Sequence, residues 1–282
     1  MTAISVATIG ILGLLVGSFL NVVIYRVPNG RSIVSPPSAC PRCAAEIMPY
    51  DNVPVLSWLA LRGRCRTCKT RISARYPLVE LGTAAFFAVV AWVVLWGDVS
   101  TGSATGFGPL TRSFAVTGLV LLAFLYLAAV SVALALIDLD THTLPNAIVL
   151  PSFVVGAVLL AAAGAIAGDY GVLLRAGIGA AALGLAYFLM AVAYPGGMGL
   201  GDVKLAGVLG LFLGFLGWGP LAVGAFAAFL LGGLFGVALL VTKRANRKSG
   251  IPFGPWMLAG AWVGIFFGSG VWHGYLTLVG LA

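Results

Sequence analysis

The sequence predicts an all-α polytopic membrane protein with about eight transmembrane helices and a small cytoplasmic loop domain held together by cysteines. Three observations predict this class. The 282 residues are 61% hydrophobic and only 9% charged, whereas about a quarter of a soluble domain is charged. Apolar runs of bilayer length recur along the chain. The four cysteines all fall in the longest polar connection, as two C-x-x-C pairs.

The apolar runs define the spans, because about 17–25 such residues cross a bilayer. The first run, residues 4–25, has no Lys or Arg before it and is followed by Arg26. It therefore predicts a retained helix (residues 1–25) with its N-terminus outside, not a cleaved secretory signal. The sixth run is short, and a Gly- and Pro-rich turn follows it, so the sixth and seventh could form one bent hairpin. The later runs lie at roughly 77–97, 114–137, 146–167, 172–194, 203–217, 219–241 and 253–280.

The basic residues predict the orientation of these spans. With the first connection in the cytoplasm, 14 of the 16 Lys and Arg fall on the inner side, and only Arg112 and Arg175 fall outside. This asymmetry favours eight spans with both termini outside. The net charge of +8 then reports orientation and is no sign of a nucleic-acid partner.

The first cytoplasmic connection, residues 26–76, is too small for a substantial core of its own and needs a staple. Its C-x-x-C pairs have 21 residues between them, which is typical of a zinc ribbon with four thiolate ligands. Four thiolates leave no open coordination position, so the zinc would be structural. The alternative is two disulfides, which are rare in reducing cytoplasm. The predicted ligands are Cys40, Cys43, Cys65 and Cys68.

The many arginines of this loop raise a second alternative, a ribbon that binds nucleic acid. The loop is tied to the membrane at both ends, which favours lipid headgroups as the partner of its basic face. We therefore expect membrane lipids and no nucleic acid.

Three acids lie in segments that alternating topology brings to the cytoplasmic face. Asp138 and Asp140 end the third run in LIDLDTHTLPN, and Asp202 precedes the sixth in GMGLGD. Acids within membrane segments are costly and often functional. Two neighbouring carboxylates share one proton, so one can activate water while the other protonates a leaving amine, as in aspartic peptidases. For either acid alone, a polar helix end in contact with water is an equally good interpretation. The two motifs together favour a catalytic pair.

Asp138 is the better partner for Asp202. It closes the apolar run VALALI, where packing would fix its side chain. Asp140 follows it among hydroxyl-bearing residues, where water can satisfy a carboxylate. Gly199 and Gly201 form the predicted active-site loop, because they leave room for an extended substrate and permit unwound backbone before the helix.

Four other polar residues are expected to have no part in catalysis. Glu80, at the start of the second span, is expected to be a helix-end residue that could pair with an arginine. His142 could tune the aspartate pair but is expected to be a loop residue, and His273 is expected to be an interfacial one. Lys204 would point away from Asp202 on a helix and contact a lipid headgroup.

The chain resembles the type IV prepilin leader peptidases, which are bifunctional membrane aspartic peptidases. The resemblance covers nearly the whole chain, through motifs that occur in the order of the family. They are GSFLNVVIYRVP, the cysteine quartet, ISARYPLVELGT, IDLDTHTLPN, GMGLGDVKL and IPFGP. One departure is Asn146, where many members have a second acid.

The resemblance implies that residues 77–282 are a transmembrane aspartic peptidase core in a bacterial inner membrane. It implies cytoplasmic cleavage of the leader of prepilins or pseudopilins by Asp138 and Asp202. It also implies methylation of the new N-terminus from S-adenosylmethionine. The sequence has no G-x-G-x-x-G after a strand and so points to no residues for that cofactor.

Two other classes of protein compete with this reading. A proton- or cation-coupled transporter would explain the paired acids, but not the ribbon or the glycines. A membrane-anchored binding module would explain the cysteines, but would leave the aspartates without a role.

Overall fold

The computed structural model describes residues 2–100, 113–194, 198–243 and 252–281. Within these residues the chain is helical, and its β-structure is limited to two isolated bridges in the cysteine-containing loop. The helices are α1 (Thr2–Arg26), α2 (Leu56–Ala60), α3 (Arg75–Ser100), α4 (Phe114–Thr141), α5 (Asn146–Ala167), α6 (Tyr170–Ala193), α7 (Leu200–Leu216), α8 (Trp218–Val241) and α9 (Gly254–Leu278).

The eight long helices follow the eight predicted apolar runs, which confirms the fold class. Seven of them are long and apolar enough to cross a membrane. The exception is α7, whose 17 residues span about 25 Å, somewhat less than the hydrocarbon core of about 30 Å. The chain breaks at Gly217, where the backbone φ is +156°. The sixth and seventh runs are therefore two separate helices.

Helix α7 lies at the centre of its half of the bundle, in contact with α5, α6, α8 and α9. Between Leu205 and Leu216 every residue but Gly207 is buried. Small residues let the neighbouring helices approach α7 closely. This is expected in a membrane, where lipid is as apolar as the side chains and the hydrophobic effect does not drive helices together. A Cβ atom on Gly214 would lie 2.6 Å from the carbonyl oxygen of Arg175 on α6, so the two backbones touch there.

Helices α1 and α3 form a second close pair. A Cβ on Gly17 would lie 2.7 Å from the Cα of Glu80, and one on Gly13 would lie 2.7 Å from the Cα of Ala84. The amide Nδ2 of Asn21 donates to the carbonyl oxygen of Tyr76 at 3.2 Å. These contacts hold the two spans that enter and leave the loop domain against each other.

Glu80 fixes the loop domain to this pair of helices. This role differs from the helix-end role that was expected for it. Its side chain is buried, and its Oε2 accepts a hydrogen bond from the N–H of Val55 at 2.7 Å. Val55 precedes α2 and has a φ of +61°. The expected arginine partner is therefore replaced by a backbone donor, which satisfies the buried carboxylate.

Candidate active site and metal centre

The cysteine loop consists of two copies of one turn, offset by 25 residues. Backbone N–H groups of Cys40 and Cys65 each donate to the residue five positions on, at 2.9 Å in both copies. Ala44 and Lys69 occupy the same place in each turn with positive φ, +55° and +57°. Each C-x-x-C therefore forms a knuckle that presents two sulfurs on one side.

The two knuckles bring all four cysteine sulfurs within 4.8 Å of one another. Cys40 Sγ and Cys68 Sγ are 3.8 Å apart, and Cys43 Sγ and Cys65 Sγ are 4.0 Å apart. A disulfide requires about 2.05 Å, and all four cysteines are free. A tetrahedral ion with bonds of about 2.3 Å places its sulfurs roughly 3.8 Å apart. The cluster therefore fits a metal ion with four thiolate ligands.

The electrostatics of the cluster also favour a cation. The pKa of Cys40 is lowered to about 6, chiefly by the backbone N–H groups of Cys43 and Arg42. The N–H of Ala45 lowers the pKa of Cys43, but desolvation and the three neighbouring sulfurs outweigh it and raise this pKa to about 11. Thiolates this close repel one another, and a divalent ion at the centre would offset that repulsion.

Asp138 lies in the last turn of α4 and is buried. Its Oδ2 accepts a hydrogen bond from the N–H of Gly254, the first residue of α9, at 3.0 Å. The first N–H groups of a helix have no partner within the helix and carry partial positive charge. The N-terminus of α9 therefore holds the Asp138 carboxylate in place.

Asp202 lies in the first turn of α7 and is held in a similar way. Its Oδ2 accepts from the N–H of Gly199 at 3.0 Å, and its own N–H donates to the carbonyl oxygen of Gly199 at 3.1 Å. Asp202 and Asp138 are close enough to interact electrostatically. The structure thus brings together the two acids that the sequence paired, each with one oxygen bound to a backbone N–H.

Leu144, in the loop between α4 and α5, fills the space beside the two carboxylates. Its Cβ would lie 3.0 Å from a Cβ on Gly201, and its Cδ2 would lie 3.2 Å from one on Gly254. The conformation of Gly201 differs from the unwound backbone that was expected, because α7 begins at Leu200 and Gly201 is therefore helical. Its missing side chain makes room for Leu144. Gly199, just before the helix, has the extended backbone that was predicted.

The remaining polar residues at this end of the bundle have other partners, except His142, which interacts electrostatically with Asp138. Asp140 forms a two-pronged ion pair with Arg75, with N···O distances of 3.0 and 2.6 Å, instead of contacting only water. Lys204 Nζ donates to Asn146 Oδ1 at 2.9 Å, so it binds a neighbouring helix where a lipid headgroup was expected. His142 has a left-handed backbone conformation and ends α4.

Residues 11–94 match the family model described as the bacterial peptidase A24 N-terminal domain, and residues 124–237 match the one described as the type IV leader peptidase family. A Pseudomonas putida protein named prepilin leader peptidase/N-methyltransferase is 35% identical, over 98% of this chain and 95% of the relative. The chain belongs to the type IV leader peptidase family.

Other relatives of this leader peptidase carry the same name. The Pseudomonas aeruginosa protein is 34% identical over 96% of this chain and 93% of its own length. The Neisseria gonorrhoeae protein is 32% identical over 97% of this chain and 94% of its own length. No solved structure matches the chain. The expected membership of the leader peptidases is thus confirmed, and the chain is a multi-pass membrane peptidase.

The two matched regions separate the loop domain from the two aspartates. The first region contains the cysteine quartet and Glu80, and the second contains Asp138 and Asp202. Gly254, which binds Asp138, lies beyond both. Sequence reasoning singled out IPFGP as a motif but found no role for it. Leu144 carried no signal, because it is an apolar residue in apolar surroundings.

Proposed function

We propose that this leader peptidase is an aspartic endopeptidase that cleaves the leader of type IV prepilins or pseudopilins, with Asp138 and Asp202 as its catalytic pair. The observation that carries the proposal is the placement of these two side chains. They come from different helices, lie within electrostatic range, and each binds one backbone N–H through Oδ2. Their Oδ1 atoms have no hydrogen bond to a described residue and keep a lone pair available for proton transfer.

The pair would act by general acid–base catalysis. Because two close carboxylates do not both ionise readily, one stays protonated. The ionised member takes a proton from water, and the oxygen of that water attacks the scissile carbonyl carbon. The protonated member gives its proton to the departing amine, and the C–N bond breaks. The backbone N–H groups of Gly199 and Gly254 would keep both carboxylates in place during these transfers.

We infer that the site faces the cytoplasm of a bacterial inner membrane, and the basic residues support the cytoplasmic side. The loop domain carries most of the Lys and Arg, which remain on the cytoplasmic side of membranes. Arg75 at the end of that loop binds Asp140, two residues from Asp138. This contact supports a carboxylate pair on the same side of the membrane as the loop domain.

The cysteines and the names of the relatives support two cofactors. Zinc bound by Cys40, Cys43, Cys65 and Cys68 would be structural, because four thiolates complete its coordination. The N-methyltransferase in the relatives' names supports a second activity, methylation of the newly exposed amine from S-adenosylmethionine. We assign no residue to that cofactor.

The test measures leader cleavage by the purified protein in detergent, with a prepilin-like peptide and mass spectrometry of the products. Asp138→Asn and Asp202→Asn keep the side-chain shape and remove the proton chemistry, so each should reduce cleavage at least about 10³-fold. Asp140→Asn should retain substantial activity, because Asp140 binds Arg75 instead of Asp202.

Asp169→Asn is the matched control. Asp169 caps α6 at the other end of the bundle, where its side chain accepts a hydrogen bond from the N–H of Val172. Asparagine caps helices equally well. This variant should cleave at the wild-type rate. If the Asp140→Asn protein were inactive and the Asp138→Asn protein active, the proposal would have assigned the chemistry to the wrong carboxylate. Absence of leader-sized fragments with the wild-type protein would reject the proposal as a whole.

A further inference from the structure

Tyr187, on α6, is a polar residue that the proposed mechanism leaves unused. Its side chain is buried, with 3% of its surface exposed. Its hydroxyl makes no hydrogen bond to any residue in the described part of the chain. Buried hydroxyl groups are nearly always hydrogen-bonded, because an unpaired one loses its water without compensation. The position of this hydroxyl therefore calls for a partner.

The register of α6 against α7 places Tyr187 beside Asp202. A Cβ on Gly184 would lie 3.7 Å from the Cα of Gly207, and one on Gly179 would lie 3.0 Å from the Cα of Gly214. The helices therefore run antiparallel, with Gly184 opposite Gly207. Tyr187 is three residues further on the same face, which is level with the first turn of α7. Tyr187 and Asp202 accordingly interact electrostatically.

Aromatic packing fixes the ring of Tyr187 between the elements that hold the two carboxylates. Its ring centroid is 5.4 Å from that of Phe229 and 6.2 Å from that of Phe253. Phe253 immediately precedes Gly254, whose N–H binds Asp138. The ring thus contacts α8 and the start of α9, and its helix packs on α7. A side chain held on three sides in this way presents its hydroxyl in a defined place.

Asp202 offers the complementary acceptor. Gly199 occupies its Oδ2, while its Oδ1 has no hydrogen bond within the described residues. We propose that Tyr187 is a positioning residue of the peptidase site, whose hydroxyl donates a hydrogen bond to Asp202 Oδ1 in the working enzyme. The inference rests on the proposed function. It adds a side-chain donor to the backbone donor and so fixes both oxygens of one carboxylate while substrate is bound.

Tyr187→Phe tests this inference, because it removes the hydroxyl and keeps the ring packing. We expect kcat for leader cleavage to fall by roughly 10- to 100-fold, the range expected when a catalytic group is misplaced by up to about 1 Å. KM should stay within about twofold, because the substrate itself is not contacted. The melting temperature in the same detergent should be unchanged.

Tyr126→Phe is the matched control. Tyr126 lies on α4, twelve residues before Asp138, which is about 18 Å along the helix. This variant should have the kcat of the wild type. If Tyr187→Phe matches it, the ring alone matters and the inference fails. It also fails if the loss of activity is accompanied by a lower melting temperature or by an equal rise in KM.

The two proposals fail in different ways. If the wild-type protein does not cleave prepilin-like peptides, the proposed function is wrong. If the wild type cleaves them and Asp202→Asn does not, the function stands, and the kcat of Tyr187→Phe alone decides the role of its hydroxyl.

Discussion

Gly254 connects the last helix to the proposed catalytic pair through Asp138. Its replacement by alanine is the sharpest test of the site geometry. Its N–H binds Asp138 Oδ2 at 3.0 Å. A Cβ on this residue would lie 2.7 Å from the same oxygen and 3.2 Å from Leu144 Cδ2. Ordinary carbon–oxygen contacts are longer than 2.7 Å, so the carboxylate would have to move by about half an ångström or more.

The magnitude of the effect follows from that displacement. A catalytic group must be held within about 0.5 Å of its productive position, and a misplacement of about 1 Å can cost roughly 100-fold in rate. We therefore expect Gly254→Ala to lower kcat by about 10- to 100-fold, or about 1.4–2.7 kcal/mol of activation free energy. The free energy of unfolding should change by less than about 1 kcal/mol, because the end of a side chain moves and alanine favours the helix.

The assay compares leader cleavage and thermal unfolding for Gly254→Ala and Gly270→Ala. Gly270 lies on the same helix, and a Cβ there would meet nothing within 4 Å. Its replacement should therefore leave kcat unchanged. A Gly254→Ala protein with wild-type kcat would refute the reasoning, since the carboxylate would then tolerate the displacement. A large fall in the melting temperature would refute it as well.

Two further predictions concern the loop domain. Elemental analysis of protein purified without chelators should find one zinc per chain. The Cys65→Ser variant should lose the zinc, and its residues 26–76 should become sensitive to protease, because metal binding supplies much of such a domain's folding free energy. A wild-type loop that resists protease without zinc would contradict this. In intact cells, a membrane-impermeant thiol reagent should leave Cys43 unmodified, because the loop is predicted to be cytoplasmic. After permeabilisation and removal of the metal, the same reagent should modify it. Labelling of Cys43 in intact cells with the metal removed would overturn the orientation and the proposed sidedness of the site.

Local properties of the sequence determined most of the fold. Hydropathy is a sum over neighbouring residues, so the eight apolar runs already located the eight long helices. The run predicted at 146–167 has the same bounds as α5, Asn146–Ala167. The two C-x-x-C pairs likewise predicted the cluster of four cysteines, because each pair alone forms a knuckle with two sulfurs on one side.

The pairing of the acids was predicted only in part. Alternating spans bring the ends of the third and sixth runs to one face, which was enough to pair Asp138 with Asp202. That argument says nothing about how each helix is rotated about its axis. Rotation decides that Asp138 faces Gly254 while Asp140, two residues on, faces Arg75, since positions two apart on a helix point in directions about 200° apart.

Only the tertiary structure decided which distant groups hold the functional side chains. Asp138 binds a residue 116 positions away, and Glu80 binds the N–H of Val55, 25 positions away. Neither contact leaves a trace in composition or periodicity, because a backbone N–H is present at almost every residue. What selects the N–H of Gly254 is the packing of α9 against α4, which only the tertiary structure sets. The sequence by itself thus determined the long helices, their approximate limits and the cysteine cluster, whereas the packing of the helices decided the geometry of the candidate site.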